Sequence, residues 1–137
     1  MGLYLTIFNG DDELDGVEVG SYADFNMFRD QIANLLERGN PGERFPVLVM
    51  HPDSDGKWSP DESALLEKEL RTIQDEMKAY PAIELGNDWQ SEVARALGLK
   101  PANLHECFFD IDGELLTERL IGLAQLAQRE DKEILFQ

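Results

Sequence analysis

The nineteen residues SPDESALLEKELRTIQDEM, beginning at Ser59, leave the chain little choice of local structure. Ser59 is placed to cap a helix. Pro60 suits the first turn, where a missing N–H costs nothing, and Glu62 stands where a capping box needs its acid. Leu66, Leu70, Ile73 and Met77 then recur at three- and four-residue intervals, the buried stripe of an amphipathic helix. Asp61, Glu67, Glu69, Asp75 and Glu76 lie off that stripe and are expected to face water. Upstream, Pro46-Val47-Leu48-Val49-Met50 is a short apolar run bounded by turn residues, read as an interior strand. The acid-rich turn HPDSDGKW joins that strand to the helix.

The rest of the chain adds strands and helices around this unit. Residues 3–8 are aliphatic and aromatic, which is strand chemistry, and turn residues separate them from a second strand at 17–19. They predict an N-terminal hairpin whose loop carries Asp11, Asp12, Glu13 and Asp15. From Tyr22 the period changes: Phe25, Phe28, Ile32 and Leu35 mark a helix capped by Ser21 and ended by Gly39 and Pro41-Gly42. The GNPGE loop precedes a strand instead of linking strand to helix, so it makes a poor phosphate cradle. A shorter helix is expected over 89–97, with Val93 and Leu97 as its apolar positions and Gly98 past its end. A late strand is expected over 104–111. Asp112-Gly113 suits a hairpin, but Leu116, Leu120, Leu123 and Ala127 favour a helix soon after. Residues 134–136 form a last strand. The pattern predicts one α+β domain over 1–137. Its mixed β-sheet has about five strands (N-terminal hairpin, central strand, late strand, C-terminal strand), packed against roughly three to four helices.

Charge narrows the range of partners. Twenty-eight Asp and Glu against twelve Lys and Arg give a net charge of −16. Such a field repels phosphates, which disfavours nucleic acid and anionic membrane, and it steers a basic protein inward. The plainer reading is solubility alone. A single cysteine, Cys107, excludes an internal disulfide and a cysteine zinc site. No apolar run reaches the ~18 residues of a membrane span. MGLYLTIF lacks the basic region and cleavage site of a signal peptide. Gly2 and Thr6 fit a loose myristoylation pattern, but a buried first strand explains them better. A cytoplasmic protein is expected.

Sites of standard chemistry are sparse. With Gly56 at the sixth position of a calcium loop, Asp53, Asp55, Ser59 and Glu62 fall at the third, fifth, ninth and twelfth. The first position, however, is His51, a poor calcium ligand, and the entering segment reads as strand. A tight turn with Glu62 used in capping is the simpler account, and a calcium-responsive module is the alternative. Asp110-Ile111-Asp112-Gly113 lacks a twelfth acid and reads as a turn. His105 and Cys107 would share one face of a strand, yet a buried structural cysteine is commoner than a nucleophile. Walker, nucleophile-elbow, zincin and dinucleotide motifs are missing, which argues against a standard enzyme. Trp58, Trp89, Tyr22 and Tyr80 suit a protein interface. Trp58, set in a polar turn, serves either as an interface anchor or as a lid over the core.

The stretches MGLYLTIF, DGVEVGSYADFNMFRD, RFPVLVMHPDSDGKWSPDE and the closing ILFQ together resemble a family of bacterial immunity proteins from polymorphic toxin systems. The resemblance runs from Gly2 to Gln137 and is weakest over 82–100. It implies an α+β protein that binds a cognate toxin domain and blocks it, with no catalytic residue and no cofactor. Many toxins of such systems are basic nucleases, which an acidic field would capture quickly. On this reading Asp53, Asp55, Trp58, Asp61 and Glu62 are the expected partner-binding residues. The acidic loop over 11–15 is the second choice.

Overall fold

The computed structural model describes residues 2–52, 56–84 and 88–137. The N-terminal hairpin forms as its turn residues dictate. Strands β1 (Gly2–Asn9) and β2 (Asp12–Ser21) pair antiparallel, with Asn9 opposite Asp12 at the tip. Gly10 there takes the left-handed backbone, φ 64°, that the reversal requires. Leu3, Leu5 and Ile7 alternate into the core, joined by Val17 and Val19.

Helix α1 (Tyr22–Gln31) starts with the expected cap, reinforced by Asp24, whose carboxylate returns to the Ser21 N–H at 2.7 Å. It runs on as a π-helical turn, Ile32–Leu36, in which Glu37 N–H reaches back to Ile32 C=O. The wider turn rotates the buried face: Ala33 and Leu36 are buried, while the expected Leu35 is only half-buried.

The central strand expected over 46–50 is instead a one-turn helix, α2 (Pro46–Val49). Pro46 occupies its first turn, and Val49 and Met50 N–H donate to the carbonyls of Phe45 and Pro46. Strand β3 (Lys57–Trp58) follows, and then helix α3 (Pro60–Met77) with the predicted capping box and buried stripe. Helix α4 is Asp88–Leu97, with Gly98 at φ 69° just beyond it.

The late strand expected over 104–111 is also replaced. His105–Cys107 is a 3-10 turn, started by Asn103, whose side chain and carbonyl both accept from Glu106 N–H. Among the described residues only Phe109 bridges, to Leu115, across the turn that Asp112-Gly113 predicted. Helix α5 (Leu116–Glu130) ends at Asp131 in left-handed conformation, and strand β4 (Ile134–Phe136) closes the chain.

The result is the expected α+β class with a smaller sheet. Among the described residues four strands pair in the order β2-β1-β4-β3, every pair antiparallel, so the sheet is not mixed. Sheet residues Leu5, Ile134 and Phe136 share one core with Phe25 and Phe28 of α1, Leu66 and Leu70 of α3, and Leu120 and Leu123 of α5. Helices α3 and α5 run antiparallel. Glu67, near the start of α3, accepts from Gln125 and Gln128, whereas Gln74 near its end meets Thr117.

Candidate functional site

The described flanks of the acidic turn, His51 and Trp58, pack with Phe136. Trp58 is fully buried, and its indole N–H donates to Val47 C=O at 3.1 Å. His51 stacks on Phe136 at 4.2 Å, and Trp58 meets Phe136 edge-on at 4.8 Å. Trp58 is thus the lid over the core, and its ring is not presented to a partner. Asp61 and Glu62 are exposed on the first turn of α3. Asp53 and Asp55 lie outside the described residues.

Two charged side chains fix the segment that leads into this turn. The Glu69 carboxylate accepts from Val47 and Leu48 N–H at 3.2 and 3.0 Å, at the start of α2. Arg29 is buried and donates to the carbonyls of Leu48, Val49 and His51, at its end. Anion at the N-terminus and cation at the C-terminus match the helix dipole. Burial pushes the Glu69 carboxyl above its ordinary range, against the pull of its two backbone donors. Glu69 therefore does not face water as its position off the stripe suggested. Glu67 and Glu76 also find partners: hydrogen bonds from Gln128 and Arg71 hold Glu67 below the usual range, and Arg44 does the same for Glu76.

For calcium, the geometry is mixed. Glu62 receives Ser59 N–H at 3.0 Å, and Ser59 Oγ receives Glu62 N–H at 3.1 Å, so both are engaged in capping. His51, at the first position, has its ring nitrogens 2.7 Å from Pro52 C=O and 2.9 Å from Lys57 C=O. The third and fifth positions are Asp53 and Asp55.

The histidine–cysteine pair does not form. His105 Nε2 lies 2.6 Å from the Thr117 hydroxyl, while Cys107 Sγ lies beside the carbonyls of Ile83 and Asn103. Burial lowers the His105 pKa and raises that of the Cys107 thiol, which disfavours imidazolium and thiolate alike.

At the hairpin tip Asp11, Asp12 and Glu13 are exposed, whereas Asp15 turns toward Gly16 N–H and Arg119. Arg119 also approaches Asp110 and donates to Gly16 C=O, tying α5 to β2. Asp110 Oδ1 accepts from Asp112 and Glu114 N–H, so this buried acid shapes its own turn.

That turn forms one wall of a cleft that the periodicities did not reveal. Leu99, Lys100, Pro101, Glu106, Phe109, Gly113 and Leu115 enclose about 240 Å³, with the Leu97 side chain lying over Gly113. Its walls come from three loop segments that no helical or strand period links, and Gly113 was legible only as a turn residue.

Among the described residues no helix is long and apolar enough to cross a membrane, and no group of three or more His, Cys, Asp or Glu side chains is placed to hold a metal ion. No curated protein and no solved structure matches the chain significantly. The family description that matches it, over residues 3–136, is Immunity protein 70. With all but the two ends of its 137 residues matched, the chain belongs to the Immunity protein 70 family.

Proposed function

We propose that the protein neutralises a cognate bacterial toxin by binding it one-to-one and covering its active surface. Family membership over residues 3–136 is the observation that carries this reading. The charge of −16 supports a basic toxin domain, a nuclease being the class such a field suits best. The protein would act by occupancy and not by turnover, in the cytoplasm of the producing cell. The proposed contact region is the acidic turn: Asp53, Asp55, Asp61 and Glu62 supply carboxylates, and the buried Trp58 keeps the α3 N-terminus in place.

Co-expression tests this directly. The untagged chain is produced with the tagged C-terminal domain of the toxin encoded immediately upstream. A one-to-one complex that abolishes toxicity is the expected result. A chain that passes through the column while toxicity persists would sink the pairing. Within a complex that forms, Asp61→Lys with Glu62→Lys should weaken binding about tenfold or more. Unchanged affinity would remove the turn from the interface.

A further inference from the structure

We propose that the cleft between the end of α4 and the 109–115 turn is an anchor site for the toxin. It would receive an apolar side chain from a basic segment of that protein, whose Lys or Arg residues meet the surrounding carboxylates. The inference rests on the toxin-binding reading and adds a second contact surface to it.

Shape and exposure come first. The floor and sides, Phe109, Leu115, Leu99 and Pro101, are apolar, and Leu97, 57% exposed, lies over Gly113 at the edge. Surface apolar side chains gathered around a concavity mark a docking site more often than scattered ones do. The walls are held in advance. Leu99 N–H donates to Ala94 C=O, Glu106 Oε1 accepts from Ala102 N–H, and Asp110 fastens the turn. A preorganised cleft loses little entropy on binding.

Charge then selects the occupant. Glu106 lines the cleft, Asp112 and Glu114 bracket Gly113 in its wall, and Glu92 stands exposed beside Val93 of α4. Lys100 is the cation among the lining residues, and Arg119, 3.8 Å from Glu114, and the exposed Arg95 of α4 offset part of this acid. Set in a chain of net charge −16, this mixed rim suits a cationic protein segment better than phosphates or carboxylates. The cleft carries few directed polar groups of the kind that orient a small polar ligand, whereas an apolar anchor inside a charged rim is the usual composition of an interface hot spot.

The test uses the full chain and the toxin domain, with affinity read by calorimetry and folding checked by thermal melts. Leu97→Lys removes the apolar lip and opposes a basic partner. Lys100→Glu improves the proposed complementarity. Glu43→Gln, in the loop before α2, controls for a unit change in net charge. All three positions are exposed, so the fold should persist. Leu97→Lys should raise Kd about tenfold or more, Lys100→Glu should lower it about threefold, and Glu43→Gln should stay within about twofold. If the wild type binds while both cleft variants match it, the toxin-binding reading stands and the cleft assignment falls. If free chain forms a dimer that Leu97→Lys abolishes, the cleft belongs to a second copy and the proposal is overturned. A wild type that neither binds nor protects sinks both readings.

Discussion

At the residue scale, His105 carries the clearest pH signature. The Thr117 hydroxyl donates to Gln74 Oε1 at 3.2 Å, so it accepts from His105 Nε2–H, and burial of the ring disfavours its charged form. Burial is the main cause of its lowered pKa. Lys78 adds to the effect, while Glu118, Glu106 and Asp75 oppose it. In the unfolded chain the ring takes up a proton near pH 6.5. Below that value the unfolded state binds more protons than the native one, so stability falls as the pH drops and is whole above about 6.5. The melting temperature should therefore fall more between pH 7.5 and 5.5 in the wild type than in His105→Gln. Equal losses would assign the dependence to other groups. Trp58 makes a separate prediction. Being fully buried, Trp58→Ala should cost about 3–5 kcal/mol in urea unfolding. Trp58→Phe should cost less, through the unmet Val47 carbonyl. A Trp58→Ala loss below about 1 kcal/mol would contradict the packing described.

At the element scale, the segments divide by the sequence distance of what stabilises them. Ser59, Pro60 and Glu62 cap α3 from within four residues, and Ser21 and Asp24 cap α1 in the same way, so both starts could be read directly. The hairpin was legible for a similar reason, because its turn lies between its own strands. Residues 46–50 were misread because their apolar, β-branched composition suits a strand and their helical partners lie elsewhere. Glu69 is 22 and 21 residues from the amides it receives, and Arg29 is 19 to 22 from the carbonyls it serves. One turn of helix is far too short to persist alone. The 104–111 segment misled differently. It is buried at Leu104, His105, Cys107, Phe108, Phe109 and Asp110, and a run without alternation does not reveal its period. The α2 clamp is testable. Glu69→Ala strips the acceptor from two amides and should cost about 1–3 kcal/mol, with Glu69→Gln closer to the wild type. Because Glu69 and Arg29 hold opposite ends of one turn, Glu69→Ala should cost less in an Arg29→Ala background than alone. Strictly additive losses in urea titrations would show that the two ends are held independently.

At the scale of the whole molecule, the net charge and the local interior chemistry serve different ends. The fold absorbs part of its acid internally. Glu37 is buried and receives Gly42, Arg44 and Phe45 N–H, Glu69 caps α2, and Asp110 shapes its turn. Asp11, Asp12, Glu13, Asp61, Glu62, Asp112 and Glu114 remain exposed on separate parts of the surface. A field spread in this way accelerates encounter from many directions, and its effect is screened over about 10 Å at 0.1 M salt. An apolar anchor, by contrast, holds the bound state and responds little to salt. For the proposed toxin complex the two contributions should separate kinetically. Raising salt from about 50 to 500 mM should lower the association rate tenfold or more while changing dissociation less than about threefold. Asp11→Lys should act chiefly on association, and Leu97→Lys chiefly on dissociation. Surface-immobilised toxin domain and stopped-flow mixing would measure both rates. Should salt instead act on dissociation and leave association unchanged, the charge would be contributing at close contacts and not by steering.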